Sequence, residues 1–147
     1  FRIITGGVGS LQKSAHLGAK KSRNSGDGDT IAILPGFDPQ PAIGFADIII
    51  PTGLDVLRNG IVANSDVVVC VEGGSGTLSE IAFAWQLNRP IISIGGGGWS
   101  TELKGRTIDQ RFPHYSIIDC SESDLSGVIN NIKKVILEGR TRHTGIS

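Results

Sequence analysis

Short runs of β-branched and other apolar residues alternate along the chain with longer amphipathic stretches, and most runs stop at glycine or proline. Phe1–Thr5, Thr30–Leu34, Ile48–Ile50, Val67–Val71, Pro90–Ile94 and Ser116–Asp119 read as strands. Val67–Val71 is apolar at five consecutive positions, the pattern of a strand buried on both faces of a parallel sheet. Helical spacing predicts a helix from Ser10, its cap, to about Lys21, with Leu11, Ala15 and Ala19 facing inward. Further helices are expected from about Leu54 to Asn64, from about Leu78 to Leu87 and from about Glu122 to Glu138. In the helix from Leu78, Leu78, Ile81, Ala82 and Trp85 form the core-facing stripe, so Trp85 is expected to pack. In the last, Leu125, Val128, Ile129, Ile132, Val135 and Ile136 recur at helical spacing. Phe37–Ala46 is expected to be irregular because Pro39 and Pro41 block regular structure.

Strands alternating with helices through short turns predict βαβ crossovers. The expected fold is therefore α/β: a Rossmann-like three-layer α/β/α domain with a mostly parallel sheet over residues 1–139, followed by a loose C-terminal tail at 140–147. The chain opens inside an apolar segment and contains no Met, so further residues are expected upstream of Phe1.

Composition narrows the classes. Fourteen basic and fourteen acidic residues cancel, with no long run of either sign, which removes the electrostatic case for a nucleic-acid or membrane-surface binder. Cys70 and Cys120 lie at strand ends without ligand-like spacing and read as small buried residues of a reducing compartment. No apolar run is long enough to span a bilayer and no signal peptide opens the chain, so a cytoplasmic location is expected. His16, His114 and His143 lack metal-ligand spacing, and no metal site is expected.

The 21 glycines are distributed unevenly: turns at Gly6, Pro35, Gly53, Gly73 and Gly95 all follow strands. In a parallel sheet these fall at the carboxyl ends of the strands, where ligands bind. Gly73, Gly74, Ser75, Gly76 and Thr77 lead from a strand into a helix, where unsatisfied N–H groups suit phosphate. The glycine spacing differs from the dinucleotide fingerprint, and no Lys follows as in a Walker loop. Glu80 admits two readings: with Thr77 it fits a capping box, and at the rim of a phosphate turn it could stabilise an oxocarbenium-like transition state or position a water. Arg58 follows Thr52 and Gly53 by one helical turn, on the same edge, where its fork of donors suits phosphate or carboxylate. Trp99, after four glycines, either lids the pocket or packs on the sheet edge.

Thr5-Gly6-Gly7, Ile33-Leu34-Pro35-Gly36, Thr52-Gly53, Arg58-Asn59 and Gly73 to Glu80 together resemble the "possible lysine decarboxylase" superfamily. It includes the Lonely Guy phosphoribohydrolases, which activate cytokinins, and the molybdenum cofactor carrier protein. The resemblance runs from Phe1 to about Gly95 and implies a ligand site at Gly6, Gly7, Pro35, Gly36, Thr52, Gly53, Arg58, Asn59 and Gly73–Thr77. In the phosphoribohydrolases a Pro-Gly-Gly-x-Gly-Thr-x-x-Glu motif carries the catalytic Glu and an upstream Arg-Lys pair supplies its partner, which implies Glu80 and Arg58 as catalytic residues if the chain is an enzyme. Glu72 stands where that motif has Pro, and Asn59 where it has Lys, as in the branch near the cofactor carrier. A charged Glu72 pointing inward would oppose a phosphate. The resemblance further implies a first strand, its glycine turn and a helix upstream of Phe1, and a homo-oligomer, dimer or tetramer.

Three functions are compatible with these features. The chain binds a phosphorylated, nucleotide-like small molecule, with no cofactor required and the molybdenum pterin cofactor as candidate cargo; or it hydrolyses nucleoside 5′-monophosphates to base and ribose 5-phosphate; or it is the ligand-sensing domain of a longer protein.

Overall fold

The computed structural model describes residues 1–139; the expected tail at 140–147, with His143, lies outside them. The chain forms two compact units, Phe1–Val62 and a second beginning at Ala63. The fold is Rossmann-like α/β, with all-parallel pairing and alternating helices as the pattern predicts.

In the first unit, β1 (Ile3–Thr5), β2 (Thr30–Leu34) and β3 (Ile48–Pro51) form a parallel sheet in that order. Its register pairs Thr5 with Ala32 and Leu34 with Pro51. When parallel strands follow one another in sequence order, connections of one hand fall on one face. That face carries Ala32 and Leu34, which pack with Ala42 and Phe45 of the segment joining β2 to β3. Helix α1 (Ser10–Lys20) also covers it, and its His16 meets the Phe45 ring edge-on at 5.3 Å.

Two expectations for α1 are corrected. Ser10 is not its cap: the N-cap is Gly9, and Ser10 is the first helical residue. The inner line is not Leu11–Ala15–Ala19, since Leu11 is 46% exposed while His16 is completely buried. A polar residue holds the inward position because Thr5 offers it a hydrogen bond there, which hydrophobic spacing does not register.

In the second unit, β4 (Val68–Cys70), β5 (Ile91–Ser93) and β6 (Ile118–Asp119) form another parallel sheet. Here both faces are covered. Ile81, Ala84 and Trp85 of α3 (Ser75–Gln86) pack with Cys70, Ile91 and Ile117 on one side. Val128 and Ile132 of α5 (Leu125–Glu138) pack with Ile92 and Cys120 on the other. Trp85 is core, as its spacing predicts; its indole N–H donates to Asp109 at 3.0 Å and its ring meets Phe112 edge-on. β4 is an edge strand of this sheet and Val69 is exposed, so the expectation of burial on both faces does not hold there.

Two elements depart from their predicted form. The stretch expected as one helix from about Leu54 begins as a 3-10 turn, Asp55–Arg58, and continues as α2 (Asn59–Ala63). Asp55 adopts φ +50° while its N–H donates to the Pro35 carbonyl, so the chain enters the helix already held by the neighbouring turn. The four-glycine run is followed by a short helix, α4 (Gly98–Leu103), that the glycines conceal at the sequence level.

Candidate functional site

At the carboxyl edge of the first sheet, three turns are laced together. The Thr52 hydroxyl and N–H both donate to the Leu34 carbonyl, at 2.7 and 3.1 Å, and Gly53 N–H donates to Gly36 at 3.2 Å. Thus Pro35 and Gly36 after β2 are tied to Thr52, Gly53 and Asp55 after β3. Arg58 then links these turns to the one after β1. A Cβ built on Gly6 would lie 2.3 Å from Arg58 Nη1 and 2.5 Å from Cζ and Nη2, so the guanidinium occupies the space a side chain at position 6 would need. The 3-10 turn that carries Arg58 packs against β2. Arg58 is half-buried and Asn59 buried.

The turn after β1 is braced from beneath. Gly7, at φ +68°, donates its N–H to Thr5 Oγ1 at 3.1 Å, and Thr5 Oγ1 lies 2.7 Å from His16 Nε2. Burial, helped by the nearby Lys20, lowers the His16 pKa against the opposing pull of Asp47, so the ring is neutral at pH 7. His16 and Thr5 are residues that sequence reasoning missed as parts of this edge. The available signal was Gln12, His16 and Ala19 at i, i+4, i+7, a second line around the same helix.

In the second unit, α3 starts at Ser75, with Gly74 as N-cap. Thr77 is therefore inside the first turn and does not cap the helix, and the capping-box account of Glu80 is overturned. Gly74 has no side chain to cap with, and the helix begins earlier because the turn delivers Ser75 directly into helical geometry. The first intrahelical acceptor, Gly74 O, is used by Leu78 N–H, so the amides of Ser75, Gly76 and Thr77 have no partner within the helix. Thr77 folds back over the turn: a Cβ on Gly73 would lie 2.1 Å from Thr77 Oγ1. Gly74 and Gly76 have open space where a Cβ would stand. Glu80, half-buried one turn further on, acts electrostatically on Cys70 at the end of β4; burial first and the Glu80 charge second push that thiol up to about 12.

Glu72 sits at φ +55°, a strained conformation for a non-glycine residue. Its side chain borders the neighbouring turn: a Cβ on Gly96 would lie 2.7 Å from Glu72 Cγ and 3.0 Å from Glu122 Oε1. The backbones of the two turns are joined too. Glu72 N–H donates to Gly95, Trp99 N–H to Gly73 and Ser100 N–H to Glu72. Gly95 to Gly98 all have positive φ, and a Cβ on Gly98 would lie 2.3 Å from the Gly73 carbonyl oxygen. The amide end of α4 is thus consumed by the Glu72–Gly73 turn, which it holds in place. Trp99 is 40% exposed.

The expected ligand residues therefore fall in two groups, Gly6, Gly7, Pro35, Gly36, Thr52, Gly53, Arg58 and Asn59 in one unit and Gly73–Thr77 in the other, where the candidate catalytic Glu80 also lies. Both cysteines are buried and free. Among the described residues, no group of three or more His, Cys, Asp or Glu side chains could hold a metal, and no helix is long and apolar enough to cross a membrane.

Parallel strands ending in glycine turns, with an arginine folded over one turn and a helix start at another, define a Rossmann-like protein of the superfamily that the motifs resemble. The chain belongs to the SLOG cluster4 family, whose pattern it matches over residues 1–123. Among solved structures it is similar to the molybdenum cofactor binding protein of the phototrophic bacterium Rippkaea orientalis. The two are 32% identical with a TM-score of 0.74, over 92% of this chain and 78% of that one. It is also similar to TM1055, at 25% identity and a TM-score of 0.73, over 87% of this chain and 76% of that one. An uncharacterized protein of Archaeoglobus fulgidus is 38% identical over 93 residues, which are 63% of this chain and 58% of that protein. The match thus spans less than two thirds of that relative.

Proposed function

We propose that the protein binds a small phosphorylated ligand of the nucleotide or pterin type at its glycine turns, with the molybdenum pterin cofactor as candidate cargo. The observation that carries this reading is the Arg58 guanidinium lying over Gly6, where a fork of donors meets a strand-end turn without a side chain of its own. The amides at the start of α3 supply a second set of donors suited to phosphate. The likeness to a molybdenum cofactor binding protein supports the cargo assignment. Titration calorimetry with ribose 5-phosphate, AMP and GMP tests it: the wild type binds at least one of them, and Arg58→Ala weakens that binding. A wild type that binds none of the three sinks the proposal. For the cargo, purification from a host that makes the cofactor should bring down a pterin detectable by mass; a pterin-free preparation overturns that part alone.

A hydrolase reading is favoured by one observation, that Glu80 is not the partner of a helix cap and its charge is felt at the carboxyl end of β4. On that reading Glu80 stabilises the oxocarbenium-like transition state of a nucleoside monophosphate. Incubation with AMP should then release adenine, and Glu80→Gln should abolish release; intact AMP after prolonged incubation with wild type removes it.

A further inference from the structure

Phe37 is 82% exposed in a chain whose residues are only 5% aromatic, yet it is held firmly. It directly follows Pro35 and Gly36, the turn that ends the central strand β2. That turn is pinned on the far side by the Gly53 N–H to Gly36 and Asp55 N–H to Pro35 hydrogen bonds, at 3.2 and 3.0 Å. The ring itself rests on Gly53: a Cβ there would lie 2.2 Å from both Cε1 and Cζ and 2.9 Å from Cε2. The distal end of the ring thus fills the side-chain space of residue 53, and the remainder is left to solvent. A scattered surface phenylalanine needs no explanation. This one is placed at the strand-end edge, between two of the glycine turns, and the Asp55–Arg58 turn, whose guanidinium lies at Gly6, packs against the same β2.

We propose that Phe37 is the platform on which the planar heterocycle of the ligand stacks, while its phosphate is taken at Arg58 and Gly6. The assignment rests on the phosphate-binding reading above and sharpens it. The ligand class is a phosphorylated compound carrying a purine or pterin ring, and a phosphosugar alone makes only half of the contacts. An aromatic face is suited to any such ring, since each presents a π-face, and a ring pre-seated on backbone loses little freedom when it stacks. Guanine offers the closer test among common nucleotides, because its amino-oxo-pyrimidine half matches that of a pterin.

Calorimetry with GMP, AMP and ribose 5-phosphate on wild type, Phe37→Ala and Phe37→Trp provides the test, with thermal melts confirming that the variants fold. Phe37→Ala should weaken GMP or AMP binding about 5- to 100-fold and leave ribose 5-phosphate within twofold of wild type, and Phe37→Trp should retain nucleotide binding. Equal losses for nucleotide and phosphosugar, or nucleotide binding untouched in Phe37→Ala, overturn the stacking role. So does a wild type that prefers ribose 5-phosphate to both nucleotides. If the wild type binds none of the three, the phosphate site itself fails, and the platform with it.

Discussion

Gly6→Ala separates the role of Arg58 in binding from any role in stability. Gly6 lies outside the left-handed region, so its backbone accepts alanine. The new methyl would stand 2.3 Å from Arg58 Nη1, whereas ordinary contact starts at 3.4 Å, so the guanidinium must withdraw by about 1 Å. It is the tip of a flexible side chain, and moving it costs about 1 kcal/mol or less in rotamer strain. Replacing glycine by alanine returns about 0.4–1 kcal/mol through the unfolded chain. The interaction that Arg58 makes is disturbed as well, at about 0.5–1.5 kcal/mol, so stability in urea should fall by no more than about 2 kcal/mol. Binding should change more, because hydrogen bonds from a charged group contribute about 1.5–3 kcal/mol each, or about 10- to 150-fold in Kd. Calorimetry with ribose 5-phosphate should show Gly6→Ala and Arg58→Ala each losing affinity on that scale, and the double variant no worse than Arg58→Ala alone. Losses that add, or a Gly6→Ala protein that binds as wild type does, would refute the claim that the parked guanidinium is the binding group.

Gly98→Ala should destabilise far more than Gly105→Ala in urea. Both have positive φ and share a left-handed penalty of about 1–2 kcal/mol, but only Gly98 meets rigid backbone, at 2.3 Å from Gly73 O, adding about 1–3 kcal/mol; equal costs would disprove the clamp between the two turns. Gly76→Ala adds a methyl into open space within the first turn of α3. It should raise the melting temperature slightly through helix propensity yet weaken phosphate binding, and unaltered binding would move the ligand away from that amide. Asp47 is held down to about 2 by its hydrogen bond with Lys20, at 2.7 Å, and by Thr30. Because the unfolded carboxyl takes up its proton first, the stability it contributes is complete above about pH 4 and lost as pH falls toward 2. Asp47→Asn should flatten that part of the acid-unfolding profile, and an unchanged profile would contradict the assignment.

The strands were legible because each is a short β-branched run with a hard stop. Thr30–Leu34 is read to the residue, since Pro35 closes it and a loop rich in Gly and Asp opens it. Helix starts were less legible. At α3 the pattern points to Leu78, the first apolar residue of the stripe, whereas Ser75 and Gly76 are poor helix formers drawn into the helix by the turn before them. The helix α4 is invisible for the same reason, its first amides being satisfied by carbonyls of the Glu72–Gly73 turn, far back in the chain. Hydrophobic spacing also mis-aims α1, because a buried His16 paired with Thr5 can replace an apolar side chain only when tertiary structure brings the hydroxyl to it.

The clustering of glycine at strand ends was legible, but its meaning divides once neighbours are known. Gly6, Gly53 and Gly73 are not bare backbone: their side-chain spaces are filled by Arg58, Phe37 and Thr77 respectively. In these turns glycine serves as a socket that lets another residue's functional group lie against the main chain. Gly74 and Gly76, with nothing within 4 Å of a Cβ position, are where the backbone itself stays approachable. Glu72, where the hydrolase motif has proline, has its own backbone geometry. Proline cannot adopt φ +55°, so the backbone at Glu72 departs from that of a proline-containing turn, and the Glu72 side chain is carried to the Gly96 side with Glu122.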